Sequence, residues 1–156
     1  MKISQYYSHL GGFELIQHHH KDLWVEIKNA ITRIDASKHK TKICKENTSR
    51  RGQLLYSPIS INKEIRQYLE LNGWAEERVT HWNCSNPEVI NIIRAHEPDD
   101  QYKIIAGFGE EPIGGFTQTD FVKDRVAMEV QFGKYAFVAH DLCFKHLNFY
   151  VAGKID

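Results

Sequence analysis

Apolar residues recur at helical spacing in three segments of the chain, so each segment is predicted to form an amphipathic helix. The first follows Asp22, a suitable N-cap, and its inward positions are Leu23, Trp24, Ile27, Ala30, Ile31 and Ile34. The second covers residues 62–71 and ends before Gly73, with inward positions Ile65, Tyr68 and Leu69. The third starts at Asn86 and Pro87 and runs to about His96, with inward positions Val89, Ile90 and Ile93.

Residues 125–132 show a different pattern, in which apolar and polar positions alternate strictly. One side carries Val126, Met128, Val130 and Phe132, and the other carries Ala127, Glu129 and Gln131. This alternation predicts a strand with one polar face. Glycines and a proline between residues 107 and 115 predict a loop before it. A long helix over residues 137–150 and the start of another strand at 151–156 are expected to follow.

The composition is that of an ordinary folded protein, with 156 residues, 42% hydrophobic and 26% charged. We expect a single domain over residues 1–156. The chain has no secretory signal and no apolar run of membrane-spanning length, which favours a cytoplasmic location. Three cysteines without a C-x-x-C pair indicate neither a disulfide framework nor a zinc site.

The charges balance, with 20 basic and 20 acidic residues, but they are unevenly distributed. The segment between residues 35 and 52 has turn-favouring residues and no apolar periodicity, so it is predicted to be a mobile loop. Glu46 is its only acidic residue between positions 38 and 51, against the basic residues Lys38, Lys40, Lys42, Lys45, Arg50 and Arg51. Such a patch suits phosphate contacts, although a solvated surface explains many charge runs.

Two carboxylates and an amide carry the candidate chemistry. Glu129 and Gln131 are two residues apart on the predicted strand and therefore share a face. If Asp120 lies on the preceding strand of a hairpin, its carboxylate can approach Glu129. Paired carboxylates suit Mg²⁺ and phosphodiester hydrolysis, with Gln131 orienting the attacking water. By spacing alone, a solvated strand face explains the same residues more often.

A wider resemblance favours the catalytic interpretation of these residues over a solvated strand face. Residues 118–125 (QTDFVKDR) and 129–138 (EVQFGKYAFV) closely resemble the active-site segment of the BstYI/BglII-like type II restriction endonucleases. The likeness extends in order along the chain through residues 7–10, 23–28, 54–58 and 145–151. The chain resembles members of the PD-(D/E)xK nuclease superfamily, in the branch where glutamine replaces the usual lysine.

The resemblance implies a restriction-endonuclease-like α/β fold, a mixed central sheet flanked by helices. It implies a Mg²⁺-dependent homodimer that cuts duplex DNA at a palindromic GATC-containing site (RGATCY-like) and leaves 5′ overhangs. Asp120, Glu129 and the Val130 carbonyl would hold the metal, and Gln131 would orient the water. A DNA methyltransferase would be the genetic partner.

The resemblance also assigns DNA contacts. Lys134, in the turn after the catalytic strand, would read bases in the major groove, although a solvated lysine is the plain alternative. The charge of the basic loop, independently of the resemblance, makes Lys38, Lys40, Lys42, Arg50 and Arg51 the candidates for phosphate contacts. The helix over residues 137–150 is the leading candidate for the dimer contact, but its aromatic residues could equally belong to the core.

The resemblance is incomplete at the C-terminal end, because related enzymes continue for about another quarter of their length. We therefore expect the chain to be truncated relative to the family. Two alternatives stay open, a catalytically incompetent DNA-binding fragment and a nuclease of the same superfamily that acts in DNA repair. The run His18, His19 and His20 is interpreted as surface rather than as a metal site.

Overall fold

The computed structural model describes residues 1–133 and 136–156. The chain divides into two compact units, Met1–Ala75 and Glu76–Asp156, and each is described by itself. In the described part of the chain, no helix is both long and apolar enough to cross a membrane.

The first unit is mainly helical. It contains α1 (Gly12–His19), α2 (Lys21–Thr32), a 3₁₀ helix (Ala36–His39), the paired strands β1 (Lys42–Ile43) and β2 (Leu54–Leu55), and α3 (Pro58–Leu71). Its core is formed by buried side chains on α2 and α3 together with residues that flank them, Leu23, Ile27, Ala30, Ile34, Ile61, Ile65, Leu69 and Trp74.

Two of the three predicted helices lie in this unit, and both are present with shifted starts. The first begins at Lys21, so Asp22 lies in its first turn and is not the N-cap. The second begins at Pro58 instead of residue 62, because the Ser57 side chain accepts the Ser60 N–H and proline suits the first turn. Gly73 follows the end of α3 with a φ of 84°, as the glycine signal predicted.

The prediction of a mobile loop over residues 35–52 was wrong in part, since this segment forms the 3₁₀ helix and strand β1. Two residues within it, His39 and Cys44, are buried. The His39 ring lies 2.7 Å from Ser60 Oγ and 2.8 Å from Glu64 Oε2, both on α3. We call residues 36–55 the basic hairpin.

The second unit combines helices with a sheet. It contains β3 (Ala75–Asn83), α4 (Pro87–Ile93), α5 (Pro98–Gly107), β4 (Ile113–Lys123), β5 (Val126–Met128), α6 (Ala136–His140), a π-helical segment (Asp141–His146) and α7 (Leu147–Val151). The sheet order is β3-β4-β5. A buried cluster is formed by Val89 and Ile93 of α4, Ile105 of α5 and the nearby Cys84. This mixture confirms the predicted α/β class.

Helix α4 confirms the third predicted helix, because the Asn86 side chain accepts the Glu88 N–H, as an N-cap does. It ends at Ile93, three residues before the predicted end at His96. Helix α5 is not among the predicted helices; it begins at Pro98, and proline suits the first turn of a helix. The predicted loop over residues 107–115 is shorter than expected, because β4 already begins at Ile113.

Strands β4 and β5 form the hairpin that positions the candidate site. They are antiparallel, with Phe121 opposite Met128 and Lys123 opposite Val126. The turn residues Asp124 and Arg125 have positive φ values of 45° and 67°, as a tight hairpin turn requires. Regular strand ends at Met128, so the predicted strand over residues 125–132 is shorter than expected.

The last part of the chain is helical, and the strand predicted at residues 151–156 is absent there. The segment from Ala136 to Val151 includes a π-helical turn. Gly153 has a φ of 65°, and Asp156 donates its backbone N–H to the Arg125 carbonyl. The Arg125 guanidinium also binds the Asp156 carboxylate at 2.5 Å, which fixes the end of the chain beside the hairpin turn.

Candidate active site

The hairpin brings Asp120 and Glu129 together. The backbone N–H of Asp120 donates to Glu129 Oε1 at 3.1 Å, and the backbone N–H of Val130 donates to Asp120 Oδ2 at 3.1 Å. Each carboxylate is therefore held by a backbone N–H of the segment that carries the other one. This reciprocal arrangement orients both acidic side chains at the open end of the hairpin.

Glu129 has two further partners. Thr119, which is fully buried, donates its hydroxyl to Glu129 Oε1 at 2.5 Å. Lys145, from the π-helical segment, places Nζ 2.8 Å from the same oxygen. The His146 Nε2 atom lies 3.9 Å from it. One carboxylate oxygen thus collects a hydroxyl, a backbone N–H and an ammonium group.

Gln131 contacts the π-helical segment rather than the two carboxylates. Its side-chain Nε2 donates to Asp141 Oδ2 at 3.4 Å. The other oxygen of Asp141 lies 3.6 Å from Lys145 Nζ. Asp141 therefore links Gln131 to the lysine that contacts Glu129.

The environment shifts the pKa values of the two carboxyl groups in opposite directions. Burial raises the pKa of Asp120, and the neighbouring charge of Glu129 and a hydrogen bond with it raise that pKa further. Burial also acts to raise the pKa of Glu129, but hydrogen bonds from Lys145 and Thr119 outweigh it, so its pKa is lowered. Burial lowers the pKa of His146.

The donor set fits a hard divalent cation. Two carboxylates within contact of each other concentrate negative charge, and oxygen ligands of this kind suit Mg²⁺, which keeps several water ligands. Lys145 already lies against Glu129, so the site favours a positive charge. No cluster of three or more histidine, cysteine, aspartate or glutamate side chains suited to a metal occurs among residues 1–133 and 136–156. In this part of the chain the candidate site therefore offers a cation the two carboxylates of Asp120 and Glu129.

The comparison with family models matches residues 4–156 to the restriction endonuclease BglII/BglIII family. The match spans nearly the whole chain and includes every element of the site. The chain belongs to the BglII/BglIII restriction endonuclease family. It is therefore a type II restriction endonuclease, a site-specific deoxyribonuclease with the restriction-endonuclease-like fold and a DNA substrate. The comparison with curated proteins found no match.

The basic residues predicted to contact DNA in this endonuclease lie in the first unit. Lys38, Lys40, Lys42, Arg50 and Arg51 are all exposed on the basic hairpin or beside its strands. Lys134, predicted to read bases, lies outside the described residues. The histidine run is mostly exposed, with His18 and His19 ending α1.

Three groups at the site were not predicted from the sequence of this endonuclease, namely Thr119, Asp141 and Lys145. Thr119 was overlooked because threonine in a strand is common. Asp141 and Lys145 are four residues apart, which is a recognisable pairing on a helix, but no sequence signal places that helix beside β4. Two other acidic residues of this unit have partners away from the carboxylate pair, since Glu77 pairs with Lys154 and Glu110 accepts from Asn86.

Proposed function

We propose that this endonuclease hydrolyses both strands of duplex DNA at a palindromic GATC-containing site (RGATCY-like), leaving 5′ overhangs, with Mg²⁺ as cofactor. The observation that carries the proposal is the convergence of Asp120 and Glu129 at one end of the β4–β5 hairpin. Family membership supplies the substrate class. The target sequence and the overhang follow from the resemblance of the residues around this hairpin to the BstYI/BglII-like enzymes.

In this proposal, Asp120, Glu129 and the Val130 carbonyl hold the metal. The chemistry that Mg²⁺ supplies when bound is electrostatic stabilisation of the charge that develops on the phosphate, together with activation of water. The backbone N–H groups of Asp120 and Val130 keep the two carboxylates in place. An amide cannot act as a base, so the role of Gln131 is to orient the attacking water by donating a hydrogen bond to it.

The enzyme acts as a homodimer, because a palindromic target presents the same half-site to each of two symmetry-related subunits. Lys134 reads bases, and the basic residues of the hairpin contact phosphates. A DNA methyltransferase that modifies the same site protects the host genome. The cytoplasmic location stays a prediction.

Plasmid cleavage in the presence of Mg²⁺ tests the proposal. We expect discrete fragments whose ends map to GATC-containing sites, and no fragments with the variants Asp120→Ala and Asp120→Asn. Asp99→Asn, an exposed aspartate in the first turn of α5, is the matched control and should cut normally. Non-specific degradation would instead indicate a repair nuclease, and binding without cleavage would indicate a DNA-binding fragment.

A further inference from the structure

Lys145 lies between two carboxylates of the site. Its Nζ atom is 2.8 Å from Glu129 Oε1 and 3.6 Å from Asp141 Oδ1. The side chains of Lys145, Glu129 and Asp141 are 18%, 15% and 14% exposed, so water screens the three charges only in part. Because the lysine stem is flexible, a small rotation would bring its ammonium group from one carboxylate to the other.

The Glu129 oxygen that Lys145 contacts also accepts hydrogen bonds from Thr119 Oγ1 and from the Asp120 N–H. A divalent cation bound to Glu129 would approach to about 2.1 Å, and an ammonium group left on the same oxygen would repel it. Binding of a metal ion through Oε1 of Glu129 therefore requires the lysine to leave that oxygen.

Asp141 is the acceptor available to the displaced lysine. One of its oxygens already lies near Lys145, and the other accepts from Gln131 Nε2 at 3.4 Å. Both Asp141 and Lys145 belong to the π-helical segment, which contacts β4. Single π-turns inside helices are frequently found at functional sites.

We propose that Lys145 is a positioning residue that holds the Glu129 carboxylate while no divalent cation is bound and moves onto Asp141 when one binds. The inference rests on the proposed function, because it takes Asp120 and Glu129 as metal ligands. It adds a role for two residues outside the carboxylate pair, with Lys145 as an internal competitor of the metal and Asp141 as its alternative partner.

The test is Mn²⁺ binding to the full chain without DNA, measured by the EPR signal of the free ion. Lys145→Met removes the competing charge and should tighten Mn²⁺ binding by about fivefold. Asp141→Asn removes the alternative acceptor and should weaken Mn²⁺ binding by a similar factor. In the Lys145→Met background the effect of Asp141→Asn should shrink, because the lysine through which Asp141 acts is gone.

The controls separate this proposal from the proposed function. Lys103→Met removes an exposed lysine paired with Asp100 and should leave Mn²⁺ binding unchanged. Lys145→Arg keeps the positive charge and should bind Mn²⁺ with wild-type affinity. Lys145→Gln is a second variant without the charge, and circular dichroism checks the folding of the variants. Weaker binding by Lys145→Met, or an equal effect of Asp141→Asn in both backgrounds, would overturn the role of Lys145 alone. Equal binding by wild type and Glu129→Gln would overturn the metal site as well.

Discussion

At the scale of single residues, the buried hydroxyl of Thr119 contacts a carboxylate of the candidate site. Its Oγ1 donates to Glu129 Oε1, and the residue is fully buried next to Asp120 on β4. Thr119→Val keeps the shape of the side chain but removes this donor. We expect it to lower the DNA cleavage rate by about tenfold. A tenfold change corresponds to a loss of about 1.4 kcal/mol of transition-state stabilisation.

Thr117 provides a matched control two positions earlier on the same face of β4. Its buried Oγ1 has no hydrogen-bond partner among the residues that the structure describes. Thr117→Val should therefore leave the cleavage rate unchanged and stability unchanged or improved. Single-turnover cleavage and thermal unfolding of both variants measure the difference, and equal rates for Thr117→Val and Thr119→Val would contradict a specific role for Thr119.

The sequence predicts part of this site. Alternation along residues 125–132 places Glu129 and Gln131 on one face, and a hairpin brings Asp120 near Glu129. The contact of Gln131 with Asp141 and the position of Lys145 depend on how the helical segment 136–151 packs against β4. Periodicity along the chain carries no information about that packing.

At the scale of elements, the basic hairpin combines exposed charge with a firm anchor. The His39 ring contacts Ser60 and Glu64 on α3, while Lys38, Lys40 and Lys42 point to solvent. Basic side chains on an anchored segment suit contacts with a DNA backbone, because less conformational entropy of the main chain is then lost on binding. Capping residues such as Ser57 and Asn86 mark helix starts in the sequence, whereas the burial of His39 follows only from tertiary contacts.

Replacing Lys40 and Lys42 by alanine tests the basic hairpin. Each lost phosphate contact should reduce the slope of log affinity against log salt by about 0.9. The matched control replaces Lys21 and Lys63, two exposed lysines on α2 and α3, and should keep the wild-type slope. Fluorescence anisotropy with labelled duplex DNA at several salt concentrations gives both slopes. Identical slopes for the two double variants would exclude the basic hairpin as a phosphate-contacting element.

At the scale of the whole molecule, the helical segment 136–151 leaves a large apolar surface in the isolated chain. Seven of its side chains are 41–69% exposed, namely Phe137, Val138, Leu142, Phe144, Leu147, Tyr150 and Val151. The sequence predicts these apolar positions but leaves open whether they face the core or a partner. Only Phe149 is fully buried among the described residues of this segment.

An exposed apolar surface of this kind is typical of an interface, and a two-fold symmetric enzyme needs a self-complementary one. We therefore expect the wild-type chain to sediment as a dimer and Phe144→Lys/Leu147→Lys to sediment as a monomer, because charges at these positions repel across the two-fold axis. The monomer should lose double-strand cleavage, since in the proposed dimer each subunit would cut one strand. Ile59→Lys/Leu71→Lys alters two apolar residues of the first unit that are 83% and 87% exposed, and this control should remain dimeric. A dimer that survives the Phe144 and Leu147 changes would place the interface elsewhere, whereas dissociation by both pairs would point to a non-specific effect of surface charge.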